Sequence, residues 1–300
     1  MPTPIVLFVY NRPWHTRKTL ESLETNNLSK ESELFIFADG PKENATQKQL
    51  EKIKETRNLI REKKWCGKVS IIERDKNMGL ANSVITGVTE IINKFGKIIV
   101  LEDDLVLSKN FLRYMNESLE KYKDNEKIMQ IAGYMYPIDI KIEEDAFFLS
   151  LISSWGWGTW KRVWDKFDES KNGFALLKKN AILQKKFDLG GSYPYFKMLK
   201  NQVRKNIDSW AIQFYLVVFM EEGLTLFPKK TLVNNIGMDG SGVHCKVKIA
   251  QSDIDNLFEI NYYPSEVNAS LLVQSELQLF LKKQMNIFRR IFRLAKQMVS

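Results

Sequence analysis

The chain has 300 residues, of which 44% are hydrophobic and 27% are charged, and its formal net charge is +9. This apolar content suffices for a full hydrophobic core, which argues against a disordered chain, and the length suits one large α/β domain with or without an appendage. With only two cysteines and two histidines, a disulfide framework, a cysteine metal site and a multi-histidine zinc site are all excluded.

The N-terminus begins Met-Pro-Thr-Pro and enters an apolar run at once. It lacks the charged and apolar regions and the cleavage site of a signal peptide. No stretch approaches the roughly 20 apolar residues that a transmembrane helix needs. We therefore expect a cytoplasmic protein.

The first half of the sequence alternates between strand and helix patterns. Strands are predicted at residues 4–10, 34–38, 69–72 and 97–101, and helices at residues 13–23, 47–63 and 80–95. Such alternation predicts an α/β fold with a mostly parallel sheet that is flanked by helices on both faces.

Polar clusters follow each of these four strands. They are Asn11-Arg12, Asp39-Gly40, the segment 74–80, and Glu102-Asp103-Asp104. Ligands of open α/β sheets bind beyond the carboxyl ends of the strands. Four such clusters at one edge therefore predict a single binding site.

The acidic triplet Glu102-Asp103-Asp104 follows the apolar run 98–101. Hard divalent cations prefer carboxylate oxygens and leave positions for substrate phosphates, whose charge they neutralise as Lewis acids. The alternative is a solvated acidic turn before a helix that begins near Ser108. The other three polar strand ends favour a site for Mn²⁺ or Mg²⁺.

The segments 99–108 (IVLEDDLVLS) and 110–114 (NFLRY) resemble the nucleotide-sugar segment of GT-A glycosyltransferases. Members of this group include the β-1,2-N-acetylglucosaminyltransferase that initiates complex N-glycans and bacterial polysaccharide glycosyltransferases. The resemblance implies a Rossmann-like GT-A fold in which Asp104 coordinates the metal. It also implies that Asp103 lies near the ribose or the donor sugar and that Glu102 lies near the sugar.

Three further segments carry the same resemblance. Residues 6–13 (VLFVYNRP) resemble the opening strand and nucleotide loop, where an arginine meets the diphosphate, and a permanently charged guanidinium suits that role. Asp39 stands where the family places an acid that binds the uracil N3–H, although an ordinary turn is the alternative. Residues 74–80 (RDKNMGL) resemble an R-x-x-N-x-G stretch of nucleotide-sugar transferases. The donor-binding residues implied by these segments are Tyr10, Asn11, Arg12, Asp39, Arg74, Asn77, Gly79 and Leu80.

Asp208, in Asp208-Ser-Trp210, resembles the first acid of the family's D-D-W signature, which is the catalytic base. An inverting transfer is a single displacement in which a carboxylate accepts the proton of the acceptor hydroxyl. Aspartate is also a favoured helix N-cap, and both roles can coexist.

Two segments of the second half resemble the rest of the family's binding site. Residues 154–160 (SWGWGTW) resemble a Gly-Leu-Gly-Trp segment, which implies that Trp157 lines the sugar and acceptor pocket, whereas core packing is favoured for Trp160 and Trp164. Residues 237–244 (GMDGSGVH) resemble a glycine-rich loop over the donor diphosphate, which implies that His244 lies at the donor site.

The predicted domain organisation is a GT-A domain at residues 1–250, with a donor half at 1–135 and an acceptor half at 136–250, followed by a helical tail at 251–300. Residues 276–300 hold six Lys/Arg against one Glu. Within 276–298 the apolar residues share one helical face and the basic residues the other, which predicts an amphipathic helix on an anionic membrane. The alternative is a helix packed on the domain or on a second subunit.

Together these features predict an inverting glycosyltransferase that moves a sugar from a nucleotide sugar, UDP-linked, to a hydroxyl of a glycan or lipid-linked saccharide in polysaccharide biosynthesis. The expected location is the inner face of the cytoplasmic membrane. Two alternatives are a retaining transferase of the same fold and a non-catalytic carbohydrate-binding protein. Nucleic-acid binding is disfavoured, because the basic residues of the tail alternate with an apolar face.

Overall fold

The computed structural model describes residues 1–167, 172–239 and 251–297, with the side chains of the last segment described through residue 286. The strands are β1 (Ile5–Val9), β2 (Glu33–Ala38), β3 (Lys68–Glu73), β4 (Lys97–Glu102), β5 (Leu105–Leu107), β6 (Ile128–Ala132), β7 (Ala146–Leu149), β8 (Trp157–Trp160), β9 (Leu224–Pro228) and β10 (Val233–Asn235). The helices are α1 (Pro13–Glu24), α2 (Gln47–Arg61), α3 (Leu80–Phe95), α4 (Phe111–Lys121), α5 (Lys161–Trp164), α6 (Asn172–Lys179), α7 (Ala181–Phe187), α8 (Tyr195–Val203), α9 (Trp210–Met220) and α10 (Leu271–Gln297), with a 3₁₀ turn at Ser29–Glu31.

The central sheet has eight strands in the order β3-β2-β1-β4-β8-β6-β9-β7. From the pairings, six of the eight strands run in one direction, and β8 and β7 run against them. The predicted fold class, a mostly parallel α/β sheet flanked by helices, is confirmed. The reversal of β8 has one consequence for the site: the residues that precede Trp157 lie at the carboxyl edge of β4 and β6.

Strands β1, β2 and β4 were predictable because each contains a continuous apolar run, whereas β3 lies at the edge of the sheet and is only partly buried. All five residues of β1 are buried, and so are the four central residues of β4. Strands covered on both faces have this composition, and each buried aliphatic side chain contributes about 1.5–3 kcal/mol. α3 covers this part of the sheet and lies between two glycines, Gly79 and Gly96, which have φ angles of 77° and 78°.

A second, two-stranded sheet pairs β10 with β5 in antiparallel register, so that Asn235 lies opposite Leu105. Because β5 begins three residues after the end of β4, this pairing carries the chain after β10 to the carboxyl edge of the central sheet.

The first turns of α10 pack on the domain. Val273, Leu277 and Leu281 are buried in the same core as the central sheet, and the ring of Phe280 lies 6.0 Å from that of Tyr136. The alternative of packing on the domain therefore holds for this part of the helix. That α10 binds a membrane beyond residue 286 stays a prediction. The boundary between the GT-A domain and the tail at residue 250 also stays a prediction. Within the described residues, no helix is both long enough and apolar enough to cross a bilayer.

Candidate active site

The ends of β1 and β4 meet, and they bring Arg12 to the acidic triplet. Phe8 and Glu102 are register partners in the parallel pair. Arg12 Nη1 donates to Asp104 Oδ2 at 2.7 Å and lies 3.7 Å from Asp103 Oδ1. The three side chains are only 13–15% exposed. The predicted convergence of these two strand ends is therefore present in the structure.

The triplet holds three acidic side chains in a place largely shielded from solvent. Burial, followed by the charges of Asp104 and Asp103, raises the pKa of Glu102 to about 8, while Arg12 opposes the shift. Burial and the charge of Asp104 likewise raise the pKa of Asp103. Both shifts have the same origin, because neighbouring carboxylates in a poorly solvated site disfavour one another's ionisation. Arg12 alone leaves both pKa values raised, and a further cation near these carboxyl groups would favour their ionised forms.

The chain after β10 closes this site from the other side. Asp104 O accepts from Ile236 N at 2.8 Å, and Asp104 Oδ1 lies 3.5 Å from Asn235 Nδ2. A side chain at Gly237 would overlap Asp104 Oδ2. Glycine is therefore required where the backbone passes the carboxylate.

Asp239 joins the same cluster. Its Oδ1 lies 3.8 Å from Arg12 Nη2, and its Oδ2 lies 3.1 Å from Nε2 of His15. Burial and then the charge of Arg12 lower the pKa of His15. The sequence analysis missed His15, Asn235 and Asp239 as site residues. Asp239 does lie within the glycine-rich segment that was singled out, and His15 lies on the first turn after Arg12, but nothing in the sequence distinguished Asn235.

Asp39 organises the loop that follows β3. Its buried carboxylate accepts from Asn77 Nδ2 at 2.9 Å, from Met78 N at 3.0 and 3.1 Å, and from Gly40 N at 3.0 Å. Asp39 and Asn77 were both predicted to contact the nucleotide. The structure brings them together and shows that each carboxylate oxygen of Asp39 already accepts hydrogen bonds from the protein.

Asp208 meets the start of α3. Its Oδ2 accepts from Ala81 N at 3.2 Å, and a Cβ at Gly79 would lie 2.9 Å from the same oxygen. The N-cap of its own helix, α9, is Ser209, which accepts from Ile212 N. The alternative role as cap of that helix is therefore wrong: the exposed carboxylate of Asp208 caps α3, whose own N-cap residue is a glycine.

Four other predicted residues lie along this edge. Arg74 donates to Ser83 Oγ at 3.1 Å and to Thr86 Oγ1 at 2.8 Å, so its guanidinium is held along α3. Leu80 is the first residue of α3, and Tyr10 and Asn11 are half-buried after β1. His244 lies outside the described residues.

The predicted role of Trp157 needs correction. Its side chain is 0% exposed and stacks on Trp210 and Trp164, with ring centroids 4.7 and 6.0 Å away. A ring enclosed in this way is part of the core and does not line a sugar pocket in this structure. Core packing is confirmed for Trp160 and Trp164. Trp155, two residues earlier, is partly exposed.

The donor atoms at the triplet suit a divalent cation that shares its coordination with a ligand. Among the described residues, no group of three or more His, Cys, Asp and Glu side chains forms a complete protein-only metal site. Mg²⁺-type ions need no such cage, because one or two carboxylates together with substrate phosphates hold them. The excess of negative charge around Asp103 and Asp104 fits that arrangement.

The comparisons with known proteins gave one family match. A domain model described as glycosyl transferase family 2 matches residues 5–200. No curated protein matches the chain significantly.

Several solved structures are similar to this chain. Staphylococcus aureus TarS 1–349 aligns with 13% identity and a TM-score of 0.43, covering 78% of this chain and 60% of that one. Its complex with UDP-GlcNAc aligns with 14% identity and a TM-score of 0.44, covering 78% and 58%. The mannosyltransferase PcManGT from Pyrobaculum calidifontis, in complex with GDP-Man and Mn²⁺, aligns with 8% identity and a TM-score of 0.40, covering 73% and 68%. The chain thus spans less than two thirds of the length of TarS 1–349.

Replacing Asp39 by asparagine should loosen the loop after β3. The amide keeps the shape of the side chain but turns one acceptor into a donor that faces Asn77 and Met78. We expect Asp39→Asn to lower the free energy of unfolding by about 1–3 kcal/mol, the usual cost of a buried polar group left without its partner. Denaturant unfolding measures the loss. Asp75→Asn, an exposed position of the same loop, is the matched control, and an equal loss in both variants would contradict this role of Asp39.

Proposed function

Because the chain belongs to glycosyl transferase family 2, we propose that it transfers a sugar from a nucleotide sugar, UDP-linked, to a hydroxyl of a glycan or lipid-linked saccharide in polysaccharide biosynthesis. The GT-A fold expected from the sequence follows from the same family. The transfer is proposed to invert the configuration of the anomeric carbon.

The observation that carries this proposal is the contact of Arg12 with Asp103 and Asp104 at the carboxyl edge of the sheet. A guanidinium binds a diphosphate through paired hydrogen bonds. A nucleotide diphosphate placed beyond β1 and β4 would meet Arg12 on one side and the carboxylates on the other. The remaining donor contacts are proposed to come from the loops after β1, β2 and β3.

Asp104 is proposed to hold Mn²⁺ or Mg²⁺, with Asp103 beside it. When bound, the metal stabilises the negative charge of the diphosphate leaving group as a Lewis acid. Asp104 Oδ2 accepts from Arg12 Nη1 at 2.7 Å. Arg12 is therefore proposed to turn from Asp104 to the diphosphate when the donor binds.

Asp208 is proposed to be the general base. In the transfer, the acceptor oxygen forms a bond to the anomeric carbon while the bond from that carbon to the diphosphate oxygen breaks. The proton of the acceptor hydroxyl passes to a carboxylate oxygen of Asp208. The hydrogen bond from Ala81 N fixes the orientation of this carboxylate, and its exposure leaves it open to an incoming hydroxyl.

The donor and the metal are tested together. A panel of nucleotide sugars is incubated with the wild-type protein and Mn²⁺, with and without EDTA, and the released nucleoside diphosphate is measured. We expect release from one UDP-sugar in particular, at least 100-fold slower in EDTA and in Asp104→Asn, since both remove the stabilisation of the leaving group. Asp75→Asn should behave like the wild type. If EDTA and Asp104→Asn leave the release of nucleoside diphosphate unchanged, the assignment of Asp104 as a metal ligand is wrong. If no donor releases nucleoside diphosphate, the protein is better explained as a non-catalytic carbohydrate-binding protein.

The role of Asp208 can be separated from its cap on α3. Asparagine keeps an oxygen that can accept from Ala81 N but cannot take a proton at neutral pH. We expect Asp208→Asn to lower kcat by about 10²–10⁴-fold, the usual contribution of a general base, with the dissociation constant of UDP unchanged. Asp208→Ala should lose thermal stability as well. An Asp208→Asn enzyme with wild-type kcat, or a product of retained anomeric configuration, would contradict the assignment of this base.

The C-terminal end of α10 is proposed to bind the anionic inner face of the cytoplasmic membrane. The helical periodicity of its sequence predicts basic residues on one face and apolar residues on the opposite face. Co-sedimentation with phosphatidylglycerol vesicles tests this. The full chain should sediment with the vesicles, and a chain ending at residue 286 should not, while donor turnover in solution stays the same. Equal binding by both chains would contradict the proposal, and neutral phosphatidylcholine vesicles serve as the control.

A further inference from the structure

Five aromatic side chains form a continuous cluster beside the acidic site. The rings of Trp155 and Tyr134 lie 4.4 Å apart, those of Tyr134 and Tyr136 lie 5.2 Å apart, and those of Tyr193 and Tyr195 lie 4.6 Å apart. Tyr136 and Tyr195 lie close enough to affect each other's pKa, which places the two groups side by side. We call these five residues the tyrosine platform. Tyr134 is buried, and the other four are partly exposed.

The pairing of the strands places the tyrosine platform at the same edge of the sheet as the acids. Val100 of β4 lies opposite Trp157 of β8, and Trp157 lies opposite Ala132 of β6. The backbone pairing continues one residue further, since Gly133 N donates to Gly156 O at 2.7 Å. Trp155 follows on the other side of Gly156, where the chain turns, and its ring contacts Tyr134 at the edge where the carboxyl ends of β4 and β6 lie.

α8 connects the other end of the tyrosine platform to the proposed base. This helix begins at Tyr195, and near its end the side chain of Gln202 accepts from Ser209 N, the neighbour of Asp208, at 2.8 Å. A helix of this length spans roughly 12 Å at 1.5 Å per residue. A short oligosaccharide covers such a distance.

The chemistry of the tyrosine platform suits an uncharged ligand with many hydroxyls. Aromatic faces stack on the C–H faces of sugar rings, and each phenol can both donate and accept a hydrogen bond. None of the five residues carries a charge at neutral pH, whereas phosphates and carboxylates are recognised by arginine and lysine. Within the described part of the chain, the hydroxyl of Tyr134 is buried beneath this surface and has no hydrogen-bond partner.

We propose that the tyrosine platform binds a neutral oligosaccharide, the non-reducing end of the acceptor chain, and holds its terminal hydroxyl toward Asp208. The acceptor is then a glycan of more than one sugar, recognised by several of its rings. This inference rests on the proposed glycosyl transfer for its role in catalysis, but binding of the oligosaccharide is measurable without any donor.

The dissociation constant is measured by isothermal titration calorimetry, with neutral hexasaccharides of glucose, N-acetylglucosamine, mannose and galactose as probes. The full-length wild-type protein should bind at least one of them. Trp155→Ala and Tyr193→Ala should bind that probe at least ten-fold more weakly, and Trp155→Phe should recover much of the loss because a flat ring is restored. Tyr262→Ala, which removes a tyrosine that is 52% exposed and outside the tyrosine platform, should bind like the wild type.

UDP with Mn²⁺ is titrated into the same samples. Unchanged UDP binding by the platform variants, together with a raised KM for the hexasaccharide and an unchanged rate of donor hydrolysis, supports the inference and shows that the variants are folded. If no hexasaccharide binds the wild type, or if all variants bind it equally, the inference is overturned. If UDP fails to bind the wild type while the hexasaccharide does, the proposed transfer fails and the oligosaccharide site stands.

Discussion

The ion pair between Arg12 and Asp104 is the interaction on which the rest of the site depends. One guanidinium lies among the carboxylates of Asp103 and Asp104, which are shielded from solvent, and that of Asp239, which is half exposed. Groups of like charge held this way are costly unless a counter-charge is near, and removal of one partner leaves an uncompensated charge. The parallel pairing of β1 with β4 brings Arg12 to the acids, and the pairing of β10 with β5 brings Asn235 and Gly237 against Asp104. Two separate sheets therefore converge on a single carboxylate.

The start of α3 is the second place where distant parts of the chain meet at the proposed site. Gly79 has a φ of 77° and a ψ of 163°, a conformation that only glycine adopts without strain. This conformation starts the helix beside Asp208, where a larger residue at position 79 would press on the carboxylate. The proposed base from the second half of the chain is thereby fixed to a loop of the first half, and Asp39 holds the other end of that loop through Asn77 and Met78. The loop after β3 is hydrogen-bonded to Asp39, and the helix that follows it is hydrogen-bonded to the proposed base, so the proposed site draws on both halves of the chain.

The first half of the fold and the location of the site were predictable from the sequence, because buried parallel strands are continuous apolar runs and their polar ends share one edge. The contacts of Asn235 and Asp239 were not, since they are made across 131 and 224 residues and depend on the short pairing of β10 with β5. The choice between Trp155 and Trp157 could not be made either. The two residues differ by two positions and would share a face of a regular strand, but Gly156 between them has a φ of 62°, so the chain turns and only Trp157 enters the core. The sequence motif places a tryptophan in this region, but the φ angle of Gly156 determines which of the two tryptophans is buried.

The arrangement around Asp104 also connects the proposed metal and donor sites energetically. Arg12 and a divalent cation would compete for the same carboxylate oxygen of Asp104. Loss of the ion pair with Asp104 would cost free energy unless Arg12 formed a new ion pair with another anion. In the proposed reaction, the diphosphate of the donor is that anion. Each ligand would therefore make room for the other: the donor would draw Arg12 away from Asp104, and a metal at Asp104 would leave Arg12 available to the donor. Such coupling is reciprocal by thermodynamic necessity, whichever ligand arrives first. The contact of Arg12 with Asp104 already offsets part of the charge of the acids, and the proposed metal would take over that role once the proposed donor binds Arg12.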